Sequence, residues 1–153
     1  MRWPSQHTVS MDMFYGTPGE NLVMVTPPYR MVDAWDTSKQ VHQFPFNRKC
    51  FVALEACLKG ILDLYKTQEA IEHVGMHLFG GSFVKRPIAG SHMLSTHSWG
   101  AAIDLDPVHN GMGEHLWSMP AAVVEIFEAQ GATWGGHWKH RPDAMHFQFA
   151  YVP

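Results

Sequence analysis

Strict alternation of apolar and polar residues in two short segments constrains the fold of this chain most. In residues 101–106, Ile103 and Leu105 share one side, and Asp104 and Asp106 share the other. Because successive side chains of a strand point to opposite faces, this alternation predicts a strand with one buried face and one polar face.

The second segment, residues 146–151, repeats the alternation with aromatic residues on its apolar side. His146 and Gln148 share the opposite, polar side. The segment therefore predicts a second strand. If the two strands are neighbours, their polar faces bring Asp104 and His146 together.

Apolar residues that recur every three to four positions predict helices elsewhere in the chain. The predicted helices cover residues 47–66, 68–74 and 118–130, with Asn47 and Ser118 as N-caps. Residues 1–46 are rich in Pro, Gly, Met and aromatic residues. We expect them to be irregular, with one or two short strands, and to wrap over the domain. Together these elements predict an α+β fold.

Length and charge limit what the chain can be. Its 153 residues fit one compact domain, in which residues 47–153 supply the helices and the sheet. The net charge is −3 and no basic stripe is present, which argues against a nucleic-acid partner. No apolar run approaches the roughly 18 residues that a membrane span needs. The opening residues carry no apolar signal-peptide region, so we expect synthesis in a cytoplasm. We also expect a monomer.

The histidines point to a metal. The chain has 11 histidines, as many as its lysines and arginines together, and neutral imidazole is the commonest metal ligand in proteins. His97 lies just before the first strand, and Gly100 allows a turn that places it near Asp104 and His146. Three protein ligands with an open fourth position are typical of catalytic zinc, whereas structural zinc sites are usually closed by four ligands. We therefore expect one metal ion per chain. Zn²⁺ is the first choice, and two histidines with one carboxylate could also hold Fe(II), Mn or Co.

Two further residues supply what zinc hydrolysis needs. Asp143 precedes His146 by three residues and follows Pro142, which fits a base placed beside the metal without binding it. Arg86 is the candidate for stabilising the negative oxygen of a tetrahedral intermediate, and Lys85 is the less favoured one.

The order of these residues resembles a known family. The quoted residues are Ser95, His97, Gly100, Ala102 and Asp104, followed by Asp143, His146 and Phe147. The pattern is similar to that of the zinc D-Ala-D-Ala carboxypeptidases, a family that also contains D-Ala-D-Ala dipeptidases and L-alanyl-D-glutamate endopeptidases of bacteria and phages. The resemblance covers most of residues 75–151 and is nearest to the short endopeptidase branch, which includes phage endolysins.

The resemblance implies a fold and a set of roles. The fold would be a small antiparallel sheet flanked by helices, like that of the hedgehog signalling domain and the DD-peptidases. The zinc ligands would be His97, Asp104 and His146. The general base would be Asp143, and Arg86 would face the substrate carbonyl. The candidate substrate contacts are Ser95, Trp99 and His137, of which His137 stands where relatives often carry Asp.

Three functions remain open at this point. The first is a lytic enzyme that cleaves the peptidoglycan stem between L-Ala and D-Glu and acts on the cell wall, in the periplasm after holin-type release. The second is a D-Ala-D-Ala carboxypeptidase with the same metal site. The third is a non-catalytic zinc-containing binding module, against which the presence of both Asp143 and Arg86 argues.

Overall fold

The computed structural model describes residues 2–114 and 116–153 and contains, within them, helices and two β-sheets. In chain order, the elements are α1 Thr8–Tyr15, β1 Leu22–Val25, β2 Met31–Asp33, β3 Gln40–Val41, β4 Phe44–Asn47, α2 Phe51–Tyr65, α3 Gln68–His73, β5 Leu78–Gly81, β6 Ala102–Leu105, α4 Ala121–Ala129, β7 Thr133–Trp134 and β8 His146–Gln148. Two short 3₁₀ turns, Thr96–Trp99 and Gly135–His137, precede β6 and follow β7. The predicted α+β class is confirmed.

The larger sheet positions the candidate ligands. Its six strands run in the order β3-β2-β5-β6-β8-β7, and all neighbours are antiparallel except β2 and β5. The two strands predicted from their alternation, β6 and β8, lie side by side near the centre. Their register places Asp104 directly opposite His146. A smaller sheet pairs β1 with β4.

Apolar residues of the sheet pack against the helices. On β6 and β8, Ile103 and Phe147 are fully buried. The Phe147 ring stacks on Phe127 of α4 with a centroid separation of 4.1 Å. Helix α2 contributes Leu54 and Ile61 to the same core. The face of β6 and β8 that carries Asp104 and His146 is thus opposite to the one that the core uses.

The predicted helix boundaries need correction at two N-termini. Asn47 does not cap α2 but ends β4, because its backbone N–H donates to Gly100 O at 2.8 Å and its side chain donates to Trp99 O at 2.9 Å. Helix α2 begins at Phe51. Ser118 likewise lies outside α4, whose N-cap is Pro120. The first error comes from contacts with a distant part of the chain, whereas the Ser118 N–H donates to Asn110 Oδ1, only eight positions away, at 3.0 Å.

The first 46 residues are more regular than predicted. They contain α1 and three strands as well as most of β4, and α1 was missed altogether. Met11 and Tyr15 of α1 are fully buried, and the Tyr15 hydroxyl donates a hydrogen bond to Phe149 O in the C-terminal part of the chain. The spacing of four between Met11 and Tyr15 was the available signal. It is too short a pattern to outweigh the surrounding Pro and Gly residues.

Among the residues that the structure describes, no helix has the length and apolar character needed to cross a bilayer.

Candidate metal centre

A short 3₁₀ turn presents His97 to the site. Ser95 precedes the turn, and its hydroxyl accepts a hydrogen bond from the His97 backbone N–H at 3.3 Å. Gly100 ends the turn with φ +68°, and a Cβ there would lie 2.6 Å from the Leu22 side chain. Glycine is therefore required at this position both by the backbone conformation and by the space. The turn delivers the chain directly into β6.

Three side chains converge where β6, β8 and this turn meet. His97 Nε2 lies 3.2 Å from Asp104 Oδ2, and His146 Nδ1 lies 3.1 Å from Asp104 Oδ1. All three residues are buried, and their ligand atoms lie within 4.8 Å of one another. His97 and His146 are 49 positions apart in the sequence, yet with Asp104 they form one compact group of two imidazoles and one carboxylate.

The atoms of this group fit a metal ion. His97 Nδ1 lies 2.8 Å from Ser82 O, and since a carbonyl only accepts, Nδ1 carries the proton and Nε2 the lone pair. Within residues 2–114 and 116–153, that buried Nε2 has no properly aligned hydrogen-bond partner despite its approach to Asp104. Two imidazole nitrogens and one carboxylate are a donor set that zinc accepts in catalytic sites.

Within the group, the two histidines stabilise the charged form of Asp104, and Asp104 stabilises that of His146. Burial by itself would raise the pKa of Asp104, but the adjacent His97 and His146 outweigh it and hold the pKa below its ordinary value. Burial opposes a charged His146, yet the hydrogen bond to Asp104 and the negative charge of that residue raise the pKa of the imidazole. The carboxylate is therefore kept ionised, as a metal ligand must be.

Asp143 lies beside the three candidate ligands without being one of them. It is 7% exposed, and burial raises the pKa of its carboxyl above the ordinary value. Its Oδ1 is buried and has no hydrogen-bond partner within the described part of the chain. Gly135 holds the loop in place: its carbonyl accepts from the Asp143 N–H at 2.9 Å, and a Cβ on Gly135 would lie 2.5 Å from Asp143 O.

A cleft of about 230 Å³ opens over the group. Its polar lining residues are Gln6, Arg86, Ser95, Thr96, His97, Arg141, Asp143, His146 and Gln148, and its apolar ones Ile88, Ala89, Met112, Trp138 and Val152. Charged and neutral hydrogen-bonding groups therefore share this cleft with apolar side chains, as is usual for small-molecule sites.

Comparison with known families gives a match to part of the chain. Residues 89–149 match the family model described as D-alanyl-D-alanine carboxypeptidase. The resemblance to this peptidase family is confirmed. The matching segment contains His97, Asp104, Asp143 and His146, whereas Arg86 lies just before it. Comparisons with curated proteins and with solved structures gave no significant match.

Arg86 and Ser95 both line the cleft. Arg86 is half-buried, and its backbone N–H donates to the Ser98 hydroxyl at 3.1 Å while that hydroxyl donates to Arg86 O at 3.1 Å. The Ser95 N–H also donates to Arg86 O at 2.9 Å. The loop bearing Arg86 is thus tied to the turn that bears His97.

Two of the predicted substrate contacts lie elsewhere. Trp99 is fully buried, and its indole N–H donates to Asp12 Oδ1 at 2.9 Å, so it belongs to the core rather than to the cleft. His137 is exposed outside the cleft, with Nδ1 3.6 Å from Glu128 Oε2. In both cases residues close in sequence to the motif point away from it, since the turns around them direct the side chains elsewhere.

Sequence reasoning missed several cleft residues. Trp138 forms a wall, with its ring centroid 5.4 Å from that of His146. Arg141 and Gln6 also line the cleft, and no local pattern marks either. Gln148 contacts His146 directly. For Gln148 a signal existed, because it lies two residues after His146 on the polar side of a predicted strand.

Proposed function

We propose that this chain is a zinc metallopeptidase that hydrolyses the peptide stem of bacterial peptidoglycan. One observation carries the proposal: the buried group of His97, Asp104 and His146 lies beside Asp143 in a segment that matches the D-alanyl-D-alanine carboxypeptidase family. When bound there, zinc supplies Lewis acidity, which polarises a carbonyl and lowers the pKa of water from about 15.7 to roughly 7.

The residues around the ligands have complementary roles in peptide hydrolysis. Asp143 accepts a proton from the attacking water as the new C–O bond forms. It then delivers that proton to the leaving amine as the C–N bond breaks. The raised pKa of Asp143 suits both steps, because a group that must take and return a proton works best with a pKa nearer the working pH. Arg86 stabilises the oxygen on which negative charge develops.

Within this class, the proposed scissile bond is that between L-Ala and D-Glu, and the proposed place of action is the cell wall. The support is the resemblance of residues 80–86, 94–100 and 134–139 to the short endopeptidase branch. The description of the matching family model favours a second candidate, removal of the terminal D-Ala. The two candidates share the metal group and differ in how the stem lies in the cleft.

Mass spectrometry of purified peptidoglycan after digestion tests the proposal and separates the candidates. A chelator-sensitive product with a new N-terminal D-Glu is expected. Loss of a terminal D-Ala instead would assign the carboxypeptidase reaction. No chelator-sensitive product from protein that carries one zinc ion per chain would overturn the peptidase proposal in favour of a binding module.

Substitution of the base provides the matched control. D143A leaves all three ligands in place, so we expect it to retain zinc. A general base typically contributes 10²- to 10⁴-fold, and turnover should fall by about that factor. Zinc content measured by atomic absorption alongside turnover distinguishes this result from loss of the metal.

A further inference from the structure

Both ring nitrogens of His146 face acceptor atoms. Nδ1 lies 3.1 Å from Asp104 Oδ1, and Nε2 lies 2.9 Å from Gln148 Oε1. Gln148 is 1% exposed, so water does not compete for this contact. The nitrogen that can bind a metal is the one without a proton, so it depends on which of these two neighbours holds the proton of the neutral imidazole.

The orientation of the Gln148 amide is fixed by its other contacts. Its Nε2 donates to Ala150 O at 3.2 Å and to Gln6 Oε1 at 3.0 Å. Because a backbone carbonyl can only accept, the nitrogen of the amide must face Ala150 and the oxygen must face His146. The Thr96 hydroxyl donates to the same oxygen at 3.1 Å.

An oxygen that can only accept requires a proton on His146 Nε2. A neutral imidazole carries one proton, so its lone pair then lies on Nδ1, the nitrogen that faces Asp104. We propose that Gln148 is a positioning residue of the metal centre, whose side-chain carbonyl holds the proton on His146 Nε2 and thereby presents Nδ1 to the metal. This inference rests on the ligand role of His146 in the proposed function.

The fold supports Gln148 from two sides. On β8 it lies two residues after His146, on the same face, and opposite the small Ala102 of β6. From the N-terminal part of the chain, Gln6 reaches it because the Gln6 N–H donates to Tyr151 O at 2.9 Å. A residue far from the matching family segment thus helps to orient the amide.

Zinc affinity of the variant Q148M, measured by competition with a chromogenic chelator, tests the proposal. Methionine is similar in length but offers no acceptor of comparable strength. Loss of a hydrogen bond to a metal-binding histidine typically weakens metal affinity 10- to 100-fold, and we expect that loss here. The matched control is Q43M, since Gln43 is exposed and its amide donates to Thr26 Oγ1, away from the cleft. It should bind zinc with native affinity.

A second variant separates positioning from packing. Q148E keeps an oxygen that accepts from His146 Nε2, so it should bind zinc at least tenfold more tightly than Q148M. It loses the donor to Ala150 O and Gln6 Oε1, so its melting temperature should fall. Melting temperatures of the metal-free proteins report the packing effect separately. If Q148M melts lower than the native protein but binds zinc equally well, Gln148 only packs and the proposal is overturned.

The native protein offers a measurement that needs no variant. In the zinc-loaded, ¹⁵N-labelled protein, NMR should show His146 with zinc on Nδ1 and a slowly exchanging proton on Nε2. Zinc on Nε2 would overturn the inference and leave peptidase activity untouched. Conversely, native protein that binds zinc in this way but does not cleave peptidoglycan would overturn the proposed function and leave the inference standing.

Discussion

At the scale of single residues, the carboxyl of Asp143 combines two opposed properties. Its position beside His97 and His146 suits a base, but its burial and its unpartnered Oδ1 make the ionised form unfavourable in the metal-free protein. Groups that serve catalysis in this way commonly lower the stability of the fold that carries them.

This conflict predicts that D143N stabilises the metal-free protein at neutral pH. The folded state raises the pKa of Asp143, so it holds more protons than the unfolded state between the unfolded and folded pKa values. Stability from this group therefore falls as pH rises through that window. The advantage of D143N should grow across the same window and stay constant above it, as measured by urea unfolding from pH 4 to pH 8.

The exposed pair on α2 provides the control for that experiment. Asp63 lies 3.3 Å from Lys59 with most of its side chain in solvent, and D63N should change stability by no more than about 0.5 kcal/mol. Metal-free D143N that is less stable than the native protein at pH 8 would contradict the account.

At the scale of elements, the turn after β7 determines where Asp143 lies. Gly135 begins a 3₁₀ turn, and its carbonyl accepts hydrogen bonds from both Trp138 N and Asp143 N, at 3.1 and 2.9 Å. The strand pair of β6 and β8 sets the register of two candidate metal ligands, Asp104 and His146. The turn thus acts mainly on Asp143, although the His146 N–H also donates to Asp143 O at 3.1 Å.

The variant G135A tests whether the turn at Gly135 affects Asp143 more than it affects the pairing of β6 with β8. Its Cβ would meet Asp143 O at 2.5 Å, so the loop must shift. A displacement of about 1 Å at a catalytic group can lower the rate by about 10²-fold, and we expect a loss of that size in kcat. Zinc affinity should fall much less, because His146 keeps its pairing with Asp104.

G111A is a suitable comparison for this variant. The nearest atom to its new Cβ is Glu114 Cγ at 3.3 Å, in the side chain of an exposed residue. It should retain most of the native kcat. Equal kcat in G135A and the native protein would show that the turn does not position Asp143.

At the scale of the whole molecule, the two ends of the chain are joined. Trp3 is 7% exposed, its indole N–H donates to Gln130 O at 2.8 Å, and its ring lies 5.2 Å from that of Phe149. Tyr151 N donates to Pro4 O at 2.9 Å, next to the segment that carries Gln6. The N-terminal residues therefore contribute both to the core and to the wall of the cleft.

A pair of tryptophan variants measures that contribution. W3A should destabilise the protein by about 3–5 kcal/mol, as expected when a large buried aromatic side chain is removed. W35A removes a side chain that is 71% exposed and should change stability by no more than about 0.5 kcal/mol. Urea unfolding followed by circular dichroism compares them, and equal values would show that the chain end does not stabilise the fold.

Some features of this protein follow from the sequence alone. The alternation in residues 101–106 and 146–151 predicts the two strands, and their polar faces carry Asp104 and His146. His97, which lies just before the first strand, completes the predicted group. These predictions succeed because strand periodicity and ligand chemistry are local properties. Strand geometry alone determines which residues share a face, whatever the rest of the fold is.

Other features are decided by the tertiary structure. Asn47 ends a strand because Gly100 and Trp99, over 50 residues away, accept its hydrogen bonds. Trp99 is fully buried, and Asp12 accepts the hydrogen bond of its indole N–H. The amide of Gln148 likewise takes its orientation from Ala150 and Gln6. In each case a distant part of the chain supplies the partner of a buried polar group. A local sequence pattern carries no information about such partners.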